Sequence, residues 1–379
     1  MHFYTIFLST LFIFANGFNV DRQCGQDLSN LWLEVVIVVD TSKGMTNHGL
    51  AQVAANIGTV FSAGTRIGSG WSDPRSTQIG LVRYSKNATV VADLDKYKSY
   101  EDLLAGLFTS LTNVDNTEES YLAEGLITAM NMLNSGKARP NFKKLIIVYA
   151  STVMGSDFEA VAKSVKDSGI EIATVAFGGK SASQLCQIAS PGYCFSPQGP
   201  ADLVQIIQGL CLLQVNCFCP PSWTQYHYTD EYSWPYKYGV CNRGSNIQST
   251  WAVSRLACQH MIKNGYLATE FSKNKHDFLF QMAQNSTSYT QPYGYFIGLN
   301  YVNGGWYWQQ PVGLQQRPVG SDAGFWNPGY PTSTTVNTGV INLQTSLDNS
   351  IGWQNINPHY VAHYYICEVA SCDTDNYCL

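Results

Sequence analysis

Apolar positions follow one rhythm in the first part of the chain and another after it. Up to residue 212, β-branched runs alternate with segments whose apolar side chains recur at helical spacing. Leu33–Asp40 (LEVVIVVD) is a continuous run of the kind required of a strand buried on both faces. Thr46 to Phe61 has helical spacing, and Ile79–Tyr84 and Thr89–Ala92 read as two more strands, the second a short edge. A helix over Tyr121–Leu133 is ended by Gly136 and Pro140. Strands at Leu145–Tyr149 and Ile170–Phe177 flank a helix over Phe158–Lys166, and a helix over Ala201–Leu212 closes the region. Such alternation predicts an α/β fold, a doubly wound parallel sheet.

Beyond Pro220 the chain turns aromatic, with many Gly and Asn turns; seven of the nine tryptophans lie there. Helices are predicted over Trp251–Met261, with Trp251, Leu256 and Cys258 facing a core, and over His276–Ala283. Short strands follow at Tyr295–Tyr301, Trp306–Trp308, Val340–Leu343 and Tyr364–Val369, which makes this part α+β. Cys211, Cys217, Cys219 and Pro220-Pro221 mark a stiff junction. The expected division is 24–213, 217–370 and a cysteine-containing tail at 371–379.

Composition narrows the compartment and the partners. Tyr4 to Ala15 is almost wholly apolar and Ala15-Asn16-Gly17 supplies small residues, so residues 1–17 read as a signal peptide. No later segment is long and apolar enough to span a bilayer. Eleven cysteines suit an oxidising compartment, and their odd number leaves one thiol free or bonded between chains. Cys186 and Cys194 stand eight apart around Ser190-Pro191-Gly192, a turn that predicts a local disulfide. Asn87-Ala88-Thr89 and Asn285-Ser286-Thr287 are N-glycosylation acceptors. A net charge of −5, with no basic run, excludes a nucleic-acid footprint. Gly178-Gly179-Lys180-Ser181 lacks the upstream glycine of a phosphate loop, since Thr174 stands there.

In a doubly wound sheet, ligands sit at the carboxyl ends of the strands. The residues after the first strand are Asp40-Thr41-Ser42-Lys43-Gly44, and VVIVVDTSKGM resembles the opening of von Willebrand A domains. That family holds Mg²⁺ with Asp-x-Ser-x-Ser, a threonine from a second loop and an aspartate after a later strand. By this resemblance Asp40 and Ser42 are kept, Gly44 replaces a serine, Ser120 takes the threonine position and Ser151 the aspartate position. One of two carboxylates survives. Carboxylates contribute most of the attraction for a divalent ion, so the metal site (Asp40, Ser42, Ser120) is expected to be degenerate, with no cofactor required. Mg²⁺ binding there is the alternative; the favoured role of Asp40 is to cap the helix that follows or to bond loop amides.

Cys219-Pro220-Pro221-Ser222-Trp223, Trp251-x6-Cys258, Gly265-Tyr266-Leu267-Ala268, Phe296-Ile297-Gly298-Leu299 and Tyr365-Ile366-Cys367-Glu368 together resemble the C-type lectin fold over about 150 residues. The resemblance implies disulfides Cys219–Cys241 and Cys258–Cys367. Sugar-binding members carry Glu-Pro-Asn or Gln-Pro-Asp, then Trp-Asn-Asp, and hold Ca²⁺ and sugar together. Here those motifs fall on Tyr330-Pro331-Thr332 and Trp353-Gln354-Asn355, without a carboxylate. Calcium-dependent sugar binding through Tyr330, Pro331, Thr332, Gln354 and Asn355 is therefore not expected. Trp306, Trp308, Phe325, Trp326, Tyr330 and Trp353 offer aromatic surface, most of it assigned to the core, with Tyr330 the exception.

The order of the two domains behind a signal peptide is similar to the expanded secreted C-type lectin proteins of nematodes, a resemblance that implies extracellular recognition, either in innate defence or at cuticle and gut surfaces. No nucleophile–base pair is evident, so no enzyme is expected. The expected partner is an extracellular glycan or protein bound without calcium or magnesium. Alternatives are adhesion through the partial metal site, or a disulfide-linked matrix component or oligomer joined through the odd cysteine, with Cys24, Cys211, Cys217, Cys372 and Cys378 unassigned.

Overall fold

The computed structural model describes residues 20–62, 64–177, 182–197, 202–229, 235–320, 324–345 and 350–378. The expected leader and the Gly178–Ser181 turn lie outside them. The chain forms two compact units, one of Arg22–Cys241 with Ala370–Leu379, the other of Asn242–Val369 with the stretch ending at Asp21.

The first unit is built on six strands: β1 (Leu33–Asp40), β2 (Gln78–Tyr84), β3 (Ala88–Ala92), β4 (Lys143–Ala150), β5 (Ile170–Ala176) and β6 (Cys194–Phe195). They lie in the order β3-β2-β1-β4-β5-β6. All pairs are parallel except β2 with β3, so the sheet is doubly wound with an antiparallel edge. Every residue of central strand β1 is buried. Val35, Ile37 and Val39 enter one core with α1 (Thr46–Val60) and α2 (Tyr100–Ser110); Val36 and Val38 enter the other with α3 (Leu122–Leu133), α4 (Phe158–Asp167) and α5 (Ala182–Ile188). Two-sided burial at roughly 1.5–3 kcal/mol per branched side chain is what a continuous apolar run secures, and alternation would forfeit half of it.

Helix α2 escaped the periodicity reading, yet its start was written locally. Ser99 accepts from the Asp102 N–H at 3.1 Å, and Glu101 and Asp102 fill the first turn. The closing helix begins at Leu203–Ile206 and widens into a π-helical stretch over Ile207–Leu212.

Contacts group residues 217–241 and the tail with this first unit, whereas the change of texture in the sequence falls at 212–221. Trp32, fully buried, donates from Nε1 to the Asp373 carbonyl at 3.0 Å, and Phe142, Phe218 and Tyr377 surround its ring. Asp373 also takes two hydrogen bonds from Arg22. Disulfides Cys24–Cys217, Cys219–Cys241, Cys186–Cys194 and Cys372–Cys378 lie here.

In the second unit the helix Trp251–Met261 is joined through Cys258–Cys367 to the long closing strand Ala362–Ala370. Its buried face is Trp251, Ser254 and Cys258. Leu256, expected on that face, is 47% exposed. It lies two residues, hence about 200°, round the helix from Ser254. Trp251 donates to the Ile297 carbonyl at 2.8 Å, and Gly339 lies so close beneath it that a Cβ there would meet the indole at 2.8 Å. The strand Gly294–Val302 pairs with Gly305–Trp308 and Gly339–Leu343, and the latter pairs with Gly352–Ile356. The strand Gly352–Ile356 is absent from the sequence reading, because Trp353-Gln354-Asn355 offers no apolar alternation.

Candidate functional site

Asp40 ends β1 at the carboxyl edge of the first sheet, fully buried. Its Oδ1 accepts from the Ser42 N–H at 2.8 Å. Its Oδ2 accepts from the Ser151 N–H at 3.1 Å, the Ser151 hydroxyl at 2.6 Å and the Thr152 N–H at 3.4 Å. Ser151 reaches it because β4 runs beside β1 in parallel register, Val39 opposite Tyr149. Gly44 lies against the same hydroxyl, where a Cβ would come within 2.9 Å of Ser151 Oγ. The absent side chain at 44 and the serine at 151 are thus one steric arrangement.

Ser120, buried, donates to the Thr152 carbonyl at 2.9 Å. The Ser42 hydroxyl is buried without a partner. Burial, then the Asp40 charge, hold the Tyr84 phenol far above its ordinary pKa. Sequence reasoning passed over Asp115, which takes the Thr41 hydroxyl at 2.6 Å and Arg83 at 3.1 Å. Asp115-Asn116-Thr117 was the available signal for a polar second loop. Among the described residues, no three His, Cys, Asp or Glu side chains converge as a metal cluster.

In the second unit Asn355, buried, ties down the loop that carries Tyr330, Pro331 and Thr332. Its Oδ1 accepts from the Thr332 N–H at 2.7 Å and the Thr332 hydroxyl at 3.1 Å. Its Nδ2 donates to the carbonyls of Thr332 and Asn337 at 3.1 and 3.0 Å. The carboxamide therefore has all its capacity engaged within the loop. Gln354 is buried beside it, Pro331 and Thr332 are exposed, and Tyr330 is half-buried. Trp353 and Trp308 are fully buried and pack edge to face at 5.5 Å; Trp326 bridges Trp306 and Trp353.

The carboxylate nearest this cluster is Glu270, which the sequence reading did not single out. Fully buried, it accepts from Trp353 Nε1 at 2.6 Å and Asn342 Nδ2 at 2.5 Å, and pairs with His276 Nδ1 at 2.8 Å. His276 also meets the Ile351 carbonyl at 3.2 Å and stacks on Phe325. Glu270 thus organises the floor of the loop and has no open face for a cation.

Asn87 and Asn285 are both exposed. Of the five unassigned cysteines, four pair as Cys24–Cys217 and Cys372–Cys378. The free thiol is Cys211, completely buried in the first core, and burial pushes its pKa well above the ordinary range. Of the two outcomes open for the odd cysteine, the thiol is free, and its enclosure tells against the alternative of a cross-link to a second chain while the unit is folded.

Residues 34–208 match the model of the von Willebrand factor type A domain, and residues 247–369 that of the Lectin C-type domain. C-type lectin domain-containing protein 160 of Caenorhabditis elegans is 28% identical over 377 residues, covering 94% of this chain. The collagen alpha-1(XX) chain of Homo sapiens is 25% identical over 173 residues, 46% of this chain. The chain spans 56% of the first and 13% of the second. Among solved structures it is similar to proximal thread matrix protein 1 from the mussel byssus, at 16% identity and TM-score 0.42, over 55% of this chain and 51% of that one. No helix of the described residues is long and apolar enough to cross a membrane. The chain joins a von Willebrand factor type A domain to a C-type lectin domain that follows it.

Proposed function

We propose that this protein is an extracellular recognition protein that binds a glycan or a protein partner without calcium or magnesium. The observation that carries the reading is the engagement of Asp40: both carboxylate oxygens already hold donors from Ser42, Ser151 and Thr152. Hydrogen bonds to a charged group contribute about 1.5–3 kcal/mol each, and a cation at this position has to displace several of them with no second carboxylate to help. Asn355 supports the same reading in the lectin domain, since its amide is engaged by Thr332 and Asn337. Recognition then falls to Tyr330 and the exposed residues Pro331, Thr332, Ser333 and Thr335.

A glycan array probed with the protein in Ca²⁺ and Mg²⁺, and again in EDTA, tests this. Equal signals support the reading. Binding that disappears in EDTA and returns with Ca²⁺ or Mg²⁺ overturns it. A second reading, adhesion through Mg²⁺ at Asp40, Ser42 and Ser120, draws support from the unpartnered Ser42 hydroxyl. It requires magnesium uptake that Asp40→Ala abolishes.

A further inference from the structure

We infer that Asn87 carries an N-linked glycan that shields the open edge of the first sheet; the inference rests on the extracellular reading above. Strand β3 pairs only with β2, and among the described residues nothing pairs with its outer side. An open edge is a template for pairing with another chain, and proteins blunt such edges with charges, proline, bulges or a covering element. Residues Ala88–Ala92 read Ala-Thr-Val-Val-Ala, with neither charge nor proline, and Val90 is 46% exposed. Leu81 pairs with Ala92 and Val82 with Val90, so Val91 is an extra residue on β3 itself, a bulge that interrupts the edge at one point. The stretch 88–90 before the bulge keeps no charge or proline of its own, and it is there that a further shield acts.

Asn87 stands one residue before this strand, on the turn between β2 and β3, where the Ser85 N–H bonds the Asn87 carbonyl at 3.1 Å. Asn87 and Thr89 of the acceptor triplet are both exposed, so the site is open to modification. In the transfer, the Asn87 amide nitrogen attacks the anomeric carbon of a lipid-diphosphate-linked oligosaccharide. A new C–N bond forms, the C–O bond to the diphosphate breaks with its electron pair leaving on the lipid diphosphate, and the amide loses one proton. The attached sugar then projects beside β3 and fills space that a second strand needs.

The full chain is expressed in insect cells, purified and digested with trypsin, with and without N-glycosidase. Release of the sugar converts asparagine to aspartate, so the peptide containing residue 87 gains about 1 Da over its encoded mass. Modification at Asn285 with Asn87 bare overturns the inference and leaves export standing. Both positions bare overturn it together with the extracellular reading. Asn87→Gln and Thr89→Ala, which each remove the acceptor, are expected to raise the rate of concentration-dependent association about tenfold by light scattering. Adding Val90→Lys should return it to the wild-type rate. Variants that associate no faster than wild type overturn the shielding role.

Discussion

Ser151 donates twice to one oxygen of Asp40, from its backbone N–H at 3.1 Å and its hydroxyl at 2.6 Å. The pair spans two neighbouring parallel strands and puts donors where a cation-binding arrangement needs a second negative charge. Ser151→Ala leaves the buried carboxylate one donor short and is expected to cost about 1–3 kcal/mol in denaturant unfolding. Ser151→Asp brings two carboxylates together. Its unfolding midpoint should fall in EDTA and recover with Mg²⁺, while the wild type is indifferent to both. A wild-type midpoint that rises with Mg²⁺ would end the metal-independent reading.

Asn355 and Tyr330 separate support from contact in the lectin loop. Asn355→Ala removes the bonds that hold Thr332 and Asn337, so amide exchange over 332–338 should quicken. Tyr330→Ala should leave that exchange unchanged and weaken binding to the best array ligand about tenfold, by loss of a stacking aromatic face. Undiminished binding by the tyrosine variant removes Tyr330 from the recognition surface.

Between pH 8.0 and 5.5, Glu34, Asp21 and His276 are expected to stabilise the fold as pH falls, with burial of His363, whose pKa is lowered, opposing them. Burial pushes Glu34 up to about 7 despite its ion pair with Arg139, and Asp21 up to about 6 despite Lys275. Burial opposes charge on His276, yet the Glu270 carboxylate leaves its pKa raised. In all three cases the folded state binds a proton more tightly than the unfolded chain, so stability rises as pH falls. The gain runs down through about 7 and 6 for the two acids and levels off below their unfolded values, near 4.5 and 3.8. The His276 contribution is complete below 6.5 and is lost as pH rises through its raised value. Urea midpoints compared at pH 5.5 and 8.0 check the sign, and a higher midpoint at 8.0 contradicts it.

Cys211 should ignore thiol reagents in the folded protein and react as one equivalent in denaturant, measured by chromogenic titration. Non-reducing gels are expected to show the monomer. A disulfide-linked dimer that survives Cys211→Ser would mean that a native bridge had opened instead.

Sequence alone was enough for the two-sided sheet, because a run such as Leu33–Asp40 can be buried on both faces in few other ways. Through the family resemblance it also implied that oxygen ligands are missing at positions 44, 151, 330–332 and 354–355, because the identity of a side chain is legible before the fold is known. What Asp40 does instead depended on β4 lying in register beside β1, a long-range relation that no local pattern encodes. The same holds for Glu270, whose three partners come from residues 276, 342 and 353, and for the enclosure of Cys211. Leu256 was misplaced because its apolar character was weighed above helical spacing, which already sets it about 200° from Cys258 on the face that the structure leaves exposed.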